Sequence, residues 1–300
     1  MNDAVLPESL VKMIQDSYPS DAGRILCGYD SPRSTTFRVN RMKTTAEDLR
    51  AELEEAGIQP VSVSWFPDAF SIPSGQEAAI RALPAYSEGR LYLQSLSSMI
   101  PPLLLDPLPG EDILDMCAAP GGKTTQLVSL SSGKANVTAV EKDRIRSERL
   151  RYNLQRQGAT RVPVLQQDAR KLDDHLRFDK ILLDAPCSGS GTVLTSDPKT
   201  CRAFSAELVR NSSRLQSELL RKAVRLVKQG GIIVYSTCSV LPEENEKVIL
   251  PFLKKGTLSV VPYSKPDLSG HLLPCEVPGA FLVCPDAEYE GFFAVCLKKN

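Results

Sequence analysis

The chain has 300 residues, 42% apolar and 24% charged, a balance that suits a globular protein with one large domain or a catalytic domain and a smaller companion. Its 36 basic and 36 acidic residues cancel, which excludes a protein that coats nucleic acid through bulk charge but not an enzyme that grips RNA with one local face. No apolar run approaches the ~20 residues that would span a bilayer, and the start MNDAVLPESL lacks the layout of a signal peptide, so a cytoplasmic protein with no membrane partner is expected.

Residues 4–18 and 20–27 read as short helices, and TTFRVNRM (35–42) as a strand. KTTAEDLRAELEEAG (43–57) predicts a helix with a Thr44–Glu47 capping box, Leu49 and Leu53 on one face and Gly57 as the stop. VSVSWFPDAFSI (61–72) reads as strand material broken by a turn. From about Gly89 the pattern changes. GRLYLQ reads as a strand, and SLSSMIPPLLL as a helix interrupted by Pro101 and Pro102. Strands are then expected at EDILDM (111–116), ANVTAVE (135–141), VPVLQQ (162–167), FDKILLDA (178–185) and GGIIVYST (230–237). Helices begin between them near Thr124, Arg144 and Ser205. Apolar strands alternating with helices imply a mostly parallel sheet covered on both faces. GFFAVCLKK (291–299) is expected to return as an antiparallel edge strand.

Eight cysteines form no C-x-x-C pair and only two histidines are present, so no metal site is expected and the thiols read as reduced. In an open α/β sheet the ligand lies beyond the carboxyl ends of the strands. DMCAAPGGKTT (115–125) is a strand running into a glycine turn and a helix. Gly121 and Gly122 let the backbone approach a ligand, and the helix start offers free N–H groups. A phosphate-binding P-loop would need glycine where Cys117 stands. Glu141 ends the next strand and can accept both hydroxyls of a ribose. Asp168 ends the third and can accept from an exocyclic amine. Together they favour a nucleoside-bearing cofactor. LLDAPCSGSGT (182–192) and VYSTCSVLPEENE (234–246) place Cys187 and Cys238 just past apolar strands, beside Asp184, which suggests covalent catalysis. Cys27, Cys201, Cys275, Cys284 and Cys296 read as small apolar fillers. Arg38, Arg41 and Lys43, then Arg144, Arg146, Arg149 and Arg151, then Arg210, Arg214 and Arg221 are candidates for an RNA-facing side, each also compatible with a solvated surface.

DMCAAPGGKT, LLDAPCSGSG, YSTCS with EENE, and GFFAVCLKK, in this order, resemble the Fmu/Sun family of RNA cytosine-5 methyltransferases over residues 86–300. The resemblance implies a Rossmann-like class I methyltransferase domain: α/β, a mostly parallel seven-stranded sheet with helices on both faces. Residues 1–85 resemble the family's small N-terminal α+β, RNA-recognition-like domain. It implies S-adenosyl-L-methionine as cofactor, held by Cys117, Ala118, Ala119, Pro120, Gly121, Gly122, Lys123, Glu141, Arg146, Asp168 and Asp184. It makes Cys238 the nucleophile and has Cys187 assist product release. Asp184 would meet ring nitrogen 3 of cytosine as a protonated acid, and Lys123 and the helix start would favour the thiolate. Lys228-Gln229-Gly230-Gly231 and Gln94-Ser95 depart from the family's usual K-P-G-G and Q-D. No NusB-like or PUA-like domain is expected beside the core, which counts against the longer ribosomal-RNA members and leaves the substrate as transfer or ribosomal RNA. A monomer is expected. The alternatives are a catalytically idle RNA-binding module on the same fold and a methyltransferase acting on another acceptor.

Overall fold

The computed structural model describes residues 5–202, 204–263 and 266–300. Two helices come first, α1 (Glu8–Ser17) and α2 (Ala22–Asp30); residue 4, where the first was expected to begin, lies outside the described residues. Their apolar sides, Leu10, Ile14, Tyr18, Ile25 and Tyr29, join the core on one face of the larger sheet. The Tyr18 hydroxyl donates to the Val240 carbonyl at 2.5 Å. Helix α2 runs so close to Pro285 that a Cβ on Gly28 would overlap its carbonyl oxygen.

The small domain comprises β1 (Thr35–Val39), α3 (Ala46–Glu55), β2 (Val61–Val63), β3 (Phe66–Ile72), α4 (Glu77–Ala82), α5 (Pro84–Ser87) and β4 (Leu91–Leu93). Its antiparallel sheet has the order β2-β3-β1-β4. Phe37, Val39, Phe70 and Leu91 meet Leu49 and Leu53 of α3 in a core of their own. The cap of α3 is Thr45, whose hydroxyl accepts from the Asp48 N–H at 3.1 Å, one residue beyond the expected Thr44–Glu47 box. GRLYLQ supplies β4 and completes this sheet, so the small sheet extends past residue 85.

Arg38 and Lys43, on β1 and its turn, fasten the two domains together. Arg38 is only 1% exposed, too deep to face RNA. It donates to Gln94 Oε1 at 2.8 Å, the Gly122 carbonyl at 2.9 Å and the Thr125 hydroxyl at 2.7 Å. Burial lowers its pKa to about 10, and no carboxylate pairs with it among the described residues. Lys43 donates to the Glu88 and Arg156 carbonyls at 2.6 and 2.7 Å, and Arg41 pairs with Asp68. Arg38→Met would leave three buried acceptors unmade, and a loss of ~2–4 kcal/mol is expected, read as a lowered thermal midpoint.

The large domain contains α6 (Leu96–Leu105), β5 (Asp112–Asp115), α7 (Gly122–Leu130), β6 (Asn136–Val140), α8 (Arg144–Arg156), β7 (Val164–Leu165) and β8 (Phe178–Asp184). It continues with α9 (Pro198–Arg202), α10 (Ala206–Leu226), β9 (Val227–Thr237), α11 (Glu246–Lys254), β10 (Leu258–Val260), β11 (Phe281–Val283) and β12 (Phe292–Lys299). Seven strands follow in the order β10-β12-β9-β8-β5-β6-β7, and β11 pairs with β12 as an eighth. β7, β6, β5, β8 and β9 are mutually parallel. Ile181, Leu183, Ile233, Tyr235 and Val295 point to one face and Leu182, Val234 and Ala294 to the other, so both faces are buried. Each fully buried Leu, Ile or Val among them contributes ~1.5–3 kcal/mol.

Three expectations change. β12 is antiparallel but not an edge strand: β9 lines one flank, and β10 and β11 divide the other. Helix α6 runs unbroken through Pro101 and Pro102. Pro102 cannot donate to the Ser98 carbonyl, and the Gln94 amide does so instead at 2.9 Å. The strand expected at 162–167 shrinks to two residues beside Pro163, which has no N–H to give a ladder. Among the described residues no helix is long and apolar enough to cross a membrane.

Candidate active site

The carboxyl ends of β5, β6, β8 and β9 and the start of α7 converge. Gly121, at φ 106°, lets the chain turn from β5 into α7. A Cβ there would meet Leu150 Cδ1 at 2.9 Å, and one on Gly122 would meet Tyr92 at 3.1 Å. The turn borders a cavity of about 190 Å³ lined by Tyr92, Gln94, Ser95, Ser98, Asp115, Cys117, Ala118, Ala119, Pro120, Gly122, Lys123 and Asp184. A narrower crevice of about 30 Å³ lies beyond Cys117, among Met116, Glu141, Arg146, Asp168, Ala169, Pro186, Leu215 and Leu219. All the expected cofactor residues except Gly121 thus line one or other space, and Gly121 sits at the turn itself.

The carboxylates differ in their surroundings. Asp115 is buried, its Oδ2 accepts from the Thr124 hydroxyl at 2.7 Å, and its Oδ1 has no partner. Burial pushes it up to about 7, against the Thr124 bond and with help from the charge of Asp184. Glu141 is 4% exposed, accepts from the Asp143 N–H at 2.9 Å and lies 3.6 Å from Arg146. Arg146 in turn donates to the Ala119 carbonyl at 2.9 Å. Asp168 is held down to about 2 by its hydrogen bonds from Arg170, so an incoming amine must share it with that guanidinium.

Asp184, at the end of β8, accepts from Lys123 at 2.7 Å on Oδ2 and from the Ser236 hydroxyl at 2.7 Å on Oδ1. Both oxygens thus have partners in the free protein, Lys123 on Oδ2 and Ser236 on Oδ1. Burial works against the Lys123 ammonium, but the charge and hydrogen bond of Asp184 and the nearby Cys238 outweigh it and raise its pKa. Lys123 also donates to Ser98 at 2.8 Å and stands 5.5 Å from the Phe292 ring centre.

Cys187 and Cys238 are half-buried, with their sulfurs 3.0 Å apart. The contact with Cys238 and burial push the Cys187 thiol well above the usual range, and either sulfur can donate in the contact between them. The two loops are locked together. The Gly191 N–H donates to the Cys238 carbonyl at 3.0 Å, and Ser190 and Ser239 share a hydroxyl contact of 2.8 Å. Glu244 accepts from the Ser188 N–H and hydroxyl at 2.7 and 2.6 Å, and burial raises its pKa against those bonds. Asn245 accepts from Thr237 and donates to the Ser239 carbonyl. These anchors, with Asp115, Ser98 and Ser236, are the residues that sequence reasoning missed. The E-E-N run was visible, but its contact with Ser188 is made across 56 positions of chain. Of the other cysteines, Cys201, Cys284 and Cys296 are buried fillers, whereas Cys27 is exposed.

A glycine turn on β5, acidic ends on its neighbours and this strand order make the large domain a Rossmann-like methyltransferase domain. Residues 102–298 match the family 16S rRNA methyltransferase RsmB/F, and residues 6–78 match its RsmF/B-like, ferredoxin-like domain. The chain belongs to this family. It is 36% identical over 280 residues to ribosomal RNA small subunit methyltransferase F of Shewanella amazonensis, covering 91% of this chain and 59% of that protein. Identity is also 36% to ribosomal RNA small subunit methyltransferase B of Citrobacter koseri, over 98% of this chain and 66% of that one. The chain thus spans about three fifths to two thirds of these relatives. A methyltransferase homolog protein from Pyrococcus horikoshii superimposes with a TM-score of 0.83 at 33% identity, over 98% of this chain and 100% of that one. S-adenosylmethionine goes with this family, and the residues present fit it: a side-chain-free Gly122 in the cavity wall, an unpartnered Asp115 oxygen, a buried Glu141 and an apolar crevice.

Proposed function

We propose that the protein methylates carbon 5 of a cytosine in structured ribosomal or transfer RNA through a covalent adduct on Cys238. The observation that carries this reading is the pair of sulfurs 3.0 Å apart beside the Lys123–Asp184 ion pair. Methylation at nitrogen or oxygen needs no thiol, whereas carbon 5 of cytosine is unreactive until a nucleophile adds at carbon 6. The bound cofactor supplies an electrophilic sulfonium methyl group.

Cys238 attacks as thiolate, forming the C6–S bond while ring nitrogen 3 takes a proton from Lys123, relayed through Asp184. Carbon 5 becomes enamine-like and takes the methyl group. When carbon 5 gives up its proton to solvent, the C6–S bond breaks, Cys238 leaves as thiolate and nitrogen 3 returns its proton to Lys123. The Cys187 thiol, 3.0 Å from Cys238 in the free protein, donates a hydrogen bond to the departing sulfur. Duplex bases are hidden, so the target is an unstacked or loop base. Glu141 and Asp168 would hold the nucleoside of the cofactor, and the Gly121–Gly122 turn its carboxylate. Incubation with labelled cofactor and transcribed small-subunit ribosomal or transfer RNA tests the reading. Label in 5-methylcytosine supports it, and tight RNA binding without label points to an idle module.

The unpartnered oxygen of Asp115 suits the cofactor's ammonium group. With its pKa at about 7, Asp115 changes from mostly protonated at pH 6 to mostly ionised at pH 8. Binding of S-adenosylhomocysteine is therefore expected to tighten ~10-fold across that interval, and Asp115→Asn to flatten the dependence, read by calorimetry. The sign for stability is opposite. The native state holds a proton that the unfolded chain loses near pH ~4, so the free protein loses stability as pH rises from there towards 7.

A further inference from the structure

Helix α8 carries five arginines against one glutamate, Glu148, a local excess of four positive charges in a chain whose net charge is zero. Helical spacing sets Ile145, Arg149, Tyr152 and Arg156 in one row. Two of them are large apolar groups left in solvent, Ile145 at 59% and Tyr152 at 66% exposure. Neither does anything for the core. Arg149 has no side-chain hydrogen bond or ion pair among the described residues. The Arg156 guanidinium lies 4.5 Å from the ring centre of Tyr86, 5.8 Å from Tyr152 and 6.0 Å from Tyr92, and its Nε has no partner. Tyr92 lines the 190 Å³ cavity, and the Asn153 amide ties α8 to the Pro120 carbonyl at 2.8 Å. Alternating rings and cations thus lead from the wall of the site to the outer face of α8.

We infer that this row binds the RNA strand flanking the target base, with Tyr152 as a stacking surface and Arg149 as a phosphate contact; the inference rests on RNA being the substrate. Unneutralised arginines interleaved with an exposed aromatic ring suit a polyanion whose bases have faces to stack, because the cations take phosphates while the ring takes any unpaired base. An acidic protein surface would satisfy the arginines but would give the tyrosine no stacking partner. From Ile145 to Arg156 the row runs ~16 Å at 1.5 Å per residue, enough for several nucleotides of single strand.

The test is direct binding of transcribed small-subunit ribosomal RNA to full-length protein across a salt series, with methylation followed in parallel. Tyr152→Ala is expected to weaken binding ~10-fold while Tyr152→Phe, which keeps a ring, binds as the wild type does. Arg149→Gln should lower the slope of log affinity against log salt by ~0.7, the value for one single-strand phosphate contact. Both side chains project into solvent, so the fold is kept, and S-adenosylhomocysteine affinity serves as the control. Equal binding by wild type and Tyr152→Ala, or an unchanged salt slope for Arg149→Gln, would overturn the assignment. Failure of the wild type to methylate any RNA while these effects on binding persist would count against the proposed reaction and leave the RNA surface standing.

Discussion

Cys238→Ala is expected to abolish methyl transfer, a fall on the order of 10⁴-fold or more, while Cys187→Ala is expected to leave RNA attached to the protein. The asymmetry follows from the proton between the two sulfurs. The Cys238 contact and burial push the Cys187 thiol well above its usual range, which suits Cys187 to the role of proton donor and leaves the attack to Cys238 in the proposed reaction. After methylation the bond to carbon 6 breaks only if Cys238 can depart as an anion. The Cys187 thiol, 3.0 Å away, is the donor placed to meet it. Alanine at 187 leaves attack possible but removes that donor, so the adduct accumulates. Electrophoresis under denaturing conditions with labelled RNA reads the result: a slow band for Cys187→Ala and none for Cys238→Ala. Trapping by Cys238→Ala instead would exchange the two roles. Cys187→Ser, which restores a hydroxyl donor, is expected to release product faster than Cys187→Ala.

The chemistry was more legible in the sequence than the architecture around it. Cysteines, glycines and carboxylates announce themselves because each stands just past an apolar strand, and a parallel sheet gathers such ends on one edge. What pattern reading could not supply was long-range pairing. GRLYLQ has the composition of a strand, but only its register against β1 assigns it to the small sheet. The arginine in TTFRVNRM looks like a surface cation. It is buried because Gln94, Gly122 and Thr125, 56 to 87 positions away, supply its acceptors. Pro101 and Pro102 read as a break, and the carbonyl freed by Pro102 is repaired by the amide of Gln94. The edge character expected of β12 failed for a similar reason, since the short strands β10 and β11 are visible only as its partners. The partner of Asp184 was equally hidden, since the Lys123 side chain reaches it across 61 positions.

Asp184→Asn is expected to lower kcat ~10²–10³-fold with the fold intact. Asparagine keeps an acceptor for Ser236 but removes the charge that holds the Lys123 ammonium in a site where only 13% of its side chain is exposed. In the wild type that charge, with Cys238, keeps the lysine pKa above its ordinary value despite burial, so the stability contributed by the raised lysine pKa is complete below pH ~10.4 and is lost as pH rises through the folded value. Without Asp184 the burial that already opposes the ammonium is countered only by Cys238 and Asp115, and Lys123 surrenders its proton at lower pH. The residual activity of Asp184→Asn should therefore fall as pH rises, over a range where the wild type stays active, because the neutral amine has no proton to deliver to ring nitrogen 3. Lys123→Met removes the donor itself. It should be at least as inactive at every pH and should also lose stability, by less than the ~3–5 kcal/mol of a fully buried broken pair, since Asp184 remains 28% exposed. A pH–rate profile of Asp184→Asn that parallels the wild type would show that the proton reaches the base by another route, and Asp184 would then be only a hydrogen-bond acceptor for the substrate.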